Sequence, residues 1–436
     1  MAPHDLPSSL HAEQLLELAA RLGAQHAEVY QSRSLSRPVF FEANRLKQLE
    51  SSQAEGIALR LWRDGCPGLA VAYGPVEPQA LVNRAIAMTH LNEPEPVELA
   101  EARTDCYPDL GEAVPVEQLV TMGREAITMI RDAYPDVLCT AELECEAETT
   151  RLVNSNGLDC SYTDTTLSCF LMAEWVRGDD FLSVADGQTE RGTLDPDKVV
   201  QSILQRLNWA KENVSPPRSR VPILLTAKAA DLLWDTVQAA FNGKQVLEKS
   251  SPWSDRLGEL VMSDTLSLSQ QPDIGPYSCP FDDEGTATQQ LLLIREGCLQ
   301  QFYCDRTTGR LLGFGTTGNG FRPGMGSYPT PGLVNLLIQP GTGSLCDLIS
   351  QLDQGLVVDQ LLGGGAGISG DFSVNVELGY RVEKGQITGR VKDTMIAGNV
   401  YTVLKQLVAL GGDADWNGPC YTPSLIVEGI STTGRS

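Results

Sequence analysis

The chain has 436 residues, a formal net charge of −23 and no cluster of lysine and arginine, so nucleic acid is excluded as a direct partner, because a phosphate backbone demands a basic surface. Hydrophobic residues make up 42% and charged residues 20%, the balance of a globular protein with room for two or three domains. No apolar run is long enough for a bilayer, and "MAPHDLPSSLHAEQLL" lacks the regions of a secretory signal, which predicts a cytoplasmic, membrane-free protein with its eleven cysteines reduced.

Ser8 and Ser9 can cap a first helix in which Leu15, Leu18, Ala19 and Leu22 recur at helical spacing before Gly23 stops it. Ile57, Leu59 and Leu61, then Leu69, Val71 and Tyr73, alternate on either side of Asp64-Gly65, which predicts a hairpin. A helix is expected near Pro78–Leu91, then a linker in the proline- and acid-rich "NEPEPVELAEARTDCYPDL". Another helix runs from Val116 to about Ala133. Val137, Cys139, Ala141, Leu143 and Cys145 then alternate with polar residues, as in a half-buried strand. A turn at Asn156-Gly157, a strand in "TTLSCFLMAEWV", a helix near Pro196–Trp209 and a linker at "SPPRSR" complete this part. From Val221 onward short apolar runs alternate with glycine-rich loops. The fold class is α+β in three parts: an N-terminal α+β domain at 1–92, a small middle α+β segment at 116–214, and a large β-rich C-terminal domain at 221–436.

The four histidines, His4, His11, His26 and His90, all precede Leu91. A histidine-based nucleophile system or a zinc hydrolase site in the C-terminal part would therefore have to borrow its imidazoles. Asp282, Asp283 and Glu284 are three adjacent carboxylates that can bind a hard cation or form an acidic turn, capping backbone N–H groups or pairing with arginine. "LLGGGAGISG" fits no phosphate loop. Cys420 is a nucleophile or ligand by residue type, but no histidine or basic cluster adjoins it in sequence.

The stretches "PFDDEGTATQQLLLIREGCLQQFYCDRTTGRLLGFGTTGNGFR", "NLLIQPG", "SGDFSVNVELGYRVEKGQITGRVKDTMIAGNV" and "PSLIVEG" carry a resemblance to the TldD/PmbA family. "GAQHAEVY", "GIALRLWRDGCPGLAVA" and "LVNSNGLDCSYTDTTL" extend it over nearly the whole chain. The resemblance implies a TldD/PmbA-type fold and an assembly of two related subunits that cuts peptides or unfolded segments. TldD-like subunits of the family carry H-E-x-x-x-H on a helix, and a later cysteine completes the zinc site. In "LLWDTVQAAFNG" those motif positions hold Trp234, Asp235 and Ala239. Cys420 lies in the region of the ligand cysteine, at a different spacing from "PSL". The helix keeps Leu233, Val237, Ala240 and Phe241 to pack onto the sheet.

The resemblance thus implies a PmbA/TldE-like, non-catalytic subunit with no metal of its own. Zinc is expected in a TldD-like partner, and peptide or unfolded protein is the expected substrate. Candidate peptide-binding surfaces, or alternatively tight turns, are Asp282–Glu284, Thr317-Gly318-Asn319, Gly370-Asp371 and Gly398-Asn399, with Cys420. The alternatives are an adaptor directed at DNA gyrase, without proteolysis, and a metal-independent hydrolase using Cys420.

Overall fold

The protein is described from a computed structural model over residues 12–217 and 220–434. Ser8, Ser9, His4 and His11 lie outside the described residues, as does part of the "SPPRSR" linker. Helix α1 (Ala12–Arg21) buries Ala12, Leu15 and Ala19 along one stripe, and Gly23 follows it at φ 93°. Strand β1 (His26–Glu42) leads through β2 (Arg45–Leu49) to the hairpin of β3 (Ser52–Arg63) and β4 (Cys66–Tyr73). Asp64 and Gly65 both have positive φ, 54° and 79°, which matches the right-handed twist of paired strands. Helix α2 (Pro78–Thr89) then packs beside α1 on this hairpin, burying Leu81, Val82 and Ala85.

The presumed linker after α2 differs from expectation. Arg103–Cys106 forms a strand, β5, that pairs in parallel with Leu158–Ser161 of a later strand. Four residues are too few to show alternation, and the flanking proline and glutamate masked them. Helix α3 (Val116–Ala133) is followed by β6 (Leu138–Asn154), β7 (Leu158–Arg177) and β8 (Asp180–Glu190), then helix α4 (Pro196–Trp209). On β6, Cys139, Ala141, Leu143 and Cys145 point into the core, as the alternation predicts. β1 pairs with β3 along one edge and with β6 along the other. The first two sequence segments therefore contribute to one eight-stranded sheet, in the order β4-β3-β1-β6-β7-β5, with β2 on β1 and β8 on β7.

The third part centres on a nine-stranded sheet. Its strand Ile223–Leu225 runs parallel to Leu356–Val358 and antiparallel to Leu425–Val427, and all nine of these side chains are buried. Alternate residues serve opposite faces. Leu224, Val357 and Ile426 join α3 and α4 and the first sheet in one core. Ile223, Leu225, Val358 and Leu425 face the other way, against helix α5 (Asp231–Phe241) and a six-stranded sheet. Continuous apolar runs are what two covered faces require. Helices α3 and α4 thus form a layer between two sheets. Among the described residues no helix is long and apolar enough to cross a membrane.

A buried charge cluster ties the first sheet to the third part. Glu28 of β1 is 1% exposed, and its Oε1 lies 3.1 Å from Arg60 and 3.0 Å from Arg322. Arg322 also donates to the Ser327 carbonyl, and its backbone N–H donates to Asp283. Removing one partner of such a cluster strands the remaining charges in low dielectric. Glu28→Gln is expected to lower unfolding free energy by about 3 kcal/mol in urea titrations, a typical cost for breaking a buried pair. Exposed Glu259, paired with Arg256 near the surface, should cost less than about 1 kcal/mol when changed to glutamine.

Candidate functional site

Helix α5 follows the buried strand Ile223–Leu225 directly and is apolar on most of its circumference. Leu232, Leu233, Trp234, Thr236, Val237, Ala240 and Phe241 are all buried. Trp234 is fully buried, and its indole N–H donates to Thr422 Oγ1 at 2.7 Å. Asp235, the next residue, is exposed and Ala239 is half-buried. Neither an indole donor nor a methyl group can ligate zinc. The Trp234 ring fills the interior, and its one polar atom is satisfied, so this helix does not fit a metal ion. Among the described residues no three His, Cys, Asp or Glu side chains are grouped to hold one.

The stretch "LLWDTVQAAFNG" reads as a helix closing on Gly243, and the structure ends it one step earlier. The helix ends at Asn242, whose side chain caps a further short helix, Gly243–Leu247, by accepting from Lys244 N. Glycine is required at 243 by crowding rather than by a left-handed turn, since a Cβ there would lie 2.5 Å from Cys304 Sγ.

The N-terminal end of α5 opens into a cavity of about 760 Å3 between the middle segment and the third part. Its walls come from β8, α4, the strand Gln354–Leu362 with Gly363–Gly365, and the segment Asp413–Gly418, which includes the short strand Asp415–Asn417. A charge network lies within it. Arg206 of α4 donates from Nε to Asp359 Oδ2 at 2.8 Å and approaches Asp186 at 3.8 Å. Lys228 pairs with Asp186 at 3.4 Å and donates to the Ala185 carbonyl, and Lys198 pairs with Asp415 at 2.6 Å. Burial would raise the Asp359 pKa, but Arg206 and Lys228 outweigh it and hold it below the ordinary value. Asp231 and Asp235, one helical turn apart, have no such cation. Burial, then the neighbouring Asp235, pushes Asp231 up to about 7, and Asn417 donates to its Oδ2 at 2.6 Å.

Cys420 sits on the strand Cys420–Thr422 and is 3% exposed. Burial raises its thiol pKa, and Asp231 and Asp235 raise it further. That environment suppresses the thiolate and so the nucleophile.

The remaining sequence candidates gather into two groups, neither lining this cavity. In the first, Asp282 accepts from the backbone N–H groups of Glu284, Thr286 and Gly320. Asp283 accepts from Arg322 N and Glu284 from Arg306 N. Thr317 and Asn319 join through a 2.8 Å hydrogen bond, and Asn319 donates to Gln270 and to the Gly332 carbonyl. The carboxylates thus serve backbone donors. In the second, Asp371 and Asn399 are cross-strand partners, and Asn399 Nδ2 donates to Asp371 at 2.9 Å. Sequence reasoning overlooked Thr226, Asp231 and Asp359. The signal for Asp359 was a lone charge inside the apolar run "GLVVDQLL".

Residues 218–434 match the PmbA/TldA metallopeptidase C-terminal domain, and residues 27–89 match domain 1 of the same metallopeptidases. The chain belongs to the PmbA/TldD family. The Metalloprotease PmbA homolog of Haemophilus influenzae is 30% identical over 239 residues, which are 54% of this chain and 50% of that protein; the match spans only half of that relative's length. The crystal structure of TldE from Thermococcus kodakarensis superposes with a TM-score of 0.89 at 25% identity, covering 97% of this chain and 99% of that one. A Thermotoga maritima protein whose name proposes modulation of a DNA gyrase has a TM-score of 0.84 at 24% identity, with 97% and 99% covered, and shares the fold.

Two outcomes are expected. Trp234→Ala should cost about 3–5 kcal/mol of stability in urea titrations, the range for deleting a buried aromatic. The second concerns Asp282, raised by burial and then by Asp283 to about 7, and Glu284, raised by burial and then by Asp282 to about 8. Both carboxyls bind protons more readily folded than unfolded. Their contribution is full below about pH 4 and is lost as pH rises through about 8. Glu284→Gln should therefore flatten the fall of urea midpoint between about pH 5 and 8. An unchanged slope would show that the pair does not titrate in this window.

Proposed function

We propose that this chain is a PmbA/TldE-like, non-catalytic subunit of a heteromeric zinc metallopeptidase. A TldD-like partner would supply the metal, and this chain would line the chamber and present peptide. The reading rests on one observation: α5 keeps its place and packing, but the family's metal-binding positions carry the buried Trp234 indole and the Ala239 methyl. The family match and the likeness to TldE support it. An extended peptide can bond through its backbone to a sheet edge; β8 lines the cavity wall, but there Ala185 is engaged by Gln360 and Lys228 and Gly187 N by Asp186.

Co-expression with a TldD-like subunit of the same genome tests this reading. The expected outcome is a mixed complex on size exclusion, zinc in the partner by metal analysis, and casein or peptide cleavage by the mixture alone. Cleavage by this chain purified alone, lost in Cys420→Ser, would replace the reading with a thiol hydrolase. The acidic surface also permits an adaptor bound to gyrase. A gyrase pull-down that persists without the TldD-like subunit would favour that second reading.

A further inference from the structure

Strands β1, β6, β7 and β8 turn alternate side chains to opposite faces of the first sheet. Cys139, Ala141, Leu171, Leu182 and Val184 face the core shared with α3 and α4. Leu138, Phe170, Met172, Val176 and Phe181 stand on the other, outer face. There Leu138 is 47% exposed, Phe170 42%, Val176 61% and Phe181 54%. The register places them together: Val176 lies opposite Phe181, and Leu138 lies opposite Glu174, which separates Met172 from Val176. Single exposed apolar side chains are ordinary on a protein surface, but an adjoining group of large ones marks an interaction site.

The charge on this face selects the occupant. β6 continues with Glu142, Glu144, Glu146 and Glu148, every second residue, on the same outer face. Glu142 lies between Phe40 of β1 and Phe170 of β7. Ser36 donates to Glu144, and Ser32 donates to Glu148 at 2.7 Å. Burial, then Glu144 and Glu148, raises the pKa of Glu146. Among the described residues no lysine or arginine pairs with any of the four. The row therefore carries uncompensated negative charge beside an apolar end. A second copy meeting this face about a two-fold axis would set one glutamate row against another, and the net charge of −23 adds to that repulsion. A basic surface is complementary. Four strands about 4.8 Å apart, from Leu138 to Glu148 at about 3.4 Å per residue, make a flat face of the order of 500 Å2. That is the greater part of the roughly 800 Å2 that one side of a standard interface buries.

We propose that this outer face is the docking surface for the TldD-like subunit, which meets it with lysine or arginine over the glutamate row and apolar side chains over the aromatic end. The inference rests on the subunit reading for the partner's identity; the partner's charge and apolar contact follow from the face alone. Phe170, Ala185 and Gly187 belong both to this face and to the wall of the α5 cavity. A partner seated there roofs the cavity mouth.

The test is calorimetric titration of the full chain with the purified TldD-like subunit of the same genome, at about 0.05 M and about 0.5 M salt. Affinity is expected to fall at the higher salt. Glu144→Lys combined with Glu146→Lys should weaken binding by roughly tenfold or more and reduce its salt dependence. Phe181→Ser should weaken it by roughly tenfold or more and leave the salt dependence in place. Glu125→Lys, exposed on α3 behind the sheet, should change neither. Unchanged urea midpoints of the variants establish that each is folded. A complex that accepts every variant as tightly as the unaltered chain would overturn the surface and leave the subunit reading intact. Tighter binding by the charge-reversed chain would overturn the basic partner. A complex that the variants disrupt but that cleaves no peptide would keep the surface and overturn the peptidase reading. If no complex forms and the chain self-associates until Phe181→Ser disperses it, the occupant is a second copy and the basic partner is overturned. No complex and a monomeric chain would overturn both readings.

Discussion

Two-sided burial of the short strand Ile223–Leu225 and its parallel neighbour Leu356–Val358 constrains everything around the cavity. Because both faces of these strands are covered, every side chain at their three paired positions is apolar. Thr226 and Asp359 are the first polar residues beyond that point, one on each strand. They emerge side by side at the carboxyl ends of a parallel pair, where α5 begins and where α4 brings Arg206. The cavity is thus a product of the sheet: polar groups accumulate where its apolar cover ends. This is the place where open sheets with parallel strands commonly bind ligands.

The same packing holds α5 in place without a metal. A zinc site stabilises a fold by cross-linking its ligands. Here the Trp234 ring occupies the interior, and its N–H ends on Thr422, one strand away. The helix stays attached to the strand Cys420–Thr422 by an aromatic body and one hydrogen bond. The carboxylates at the helix start, Asp231 and Asp235, keep an electronegative mouth. Burial, and then that mouth, suppresses the Cys420 thiolate, and a thiolate is the form that either ligation or nucleophilic attack would need.

Much of the secondary structure was legible, because its signals are local. Alternation gave β6, helical spacing gave α3 and α4, and Asp64-Gly65 gave the hairpin turn. β5 escaped because four residues carry no periodicity. The union of the first two segments in a single sheet escaped because pairing between β1 and β6 leaves no local mark. On α5, the packing face was readable from residue types. The cavity was not. Its polar lining comes from the residue after one strand, a helix start and the interior of the strand Gln354–Leu362, and Asp359 lies more than a hundred residues beyond the others. The two loop groups around Asp282 and Asp371 looked chemical in sequence because carboxylates and amides serve backbone turns as readily as ligands.

The pairing of β1 has a consequence for synthesis on the ribosome. Phe41 finds its partner at Ala141 and Glu28 at Asn154. Until that later stretch has emerged, a long edge of β1 has only β3 beside it, and its outward row of backbone donors and acceptors is open. Non-local pairing of this kind is slow and leaves an edge able to recruit a neighbouring chain. Each nascent chain therefore passes through an interval, set by translation speed, in which that edge is open before the sheet can close.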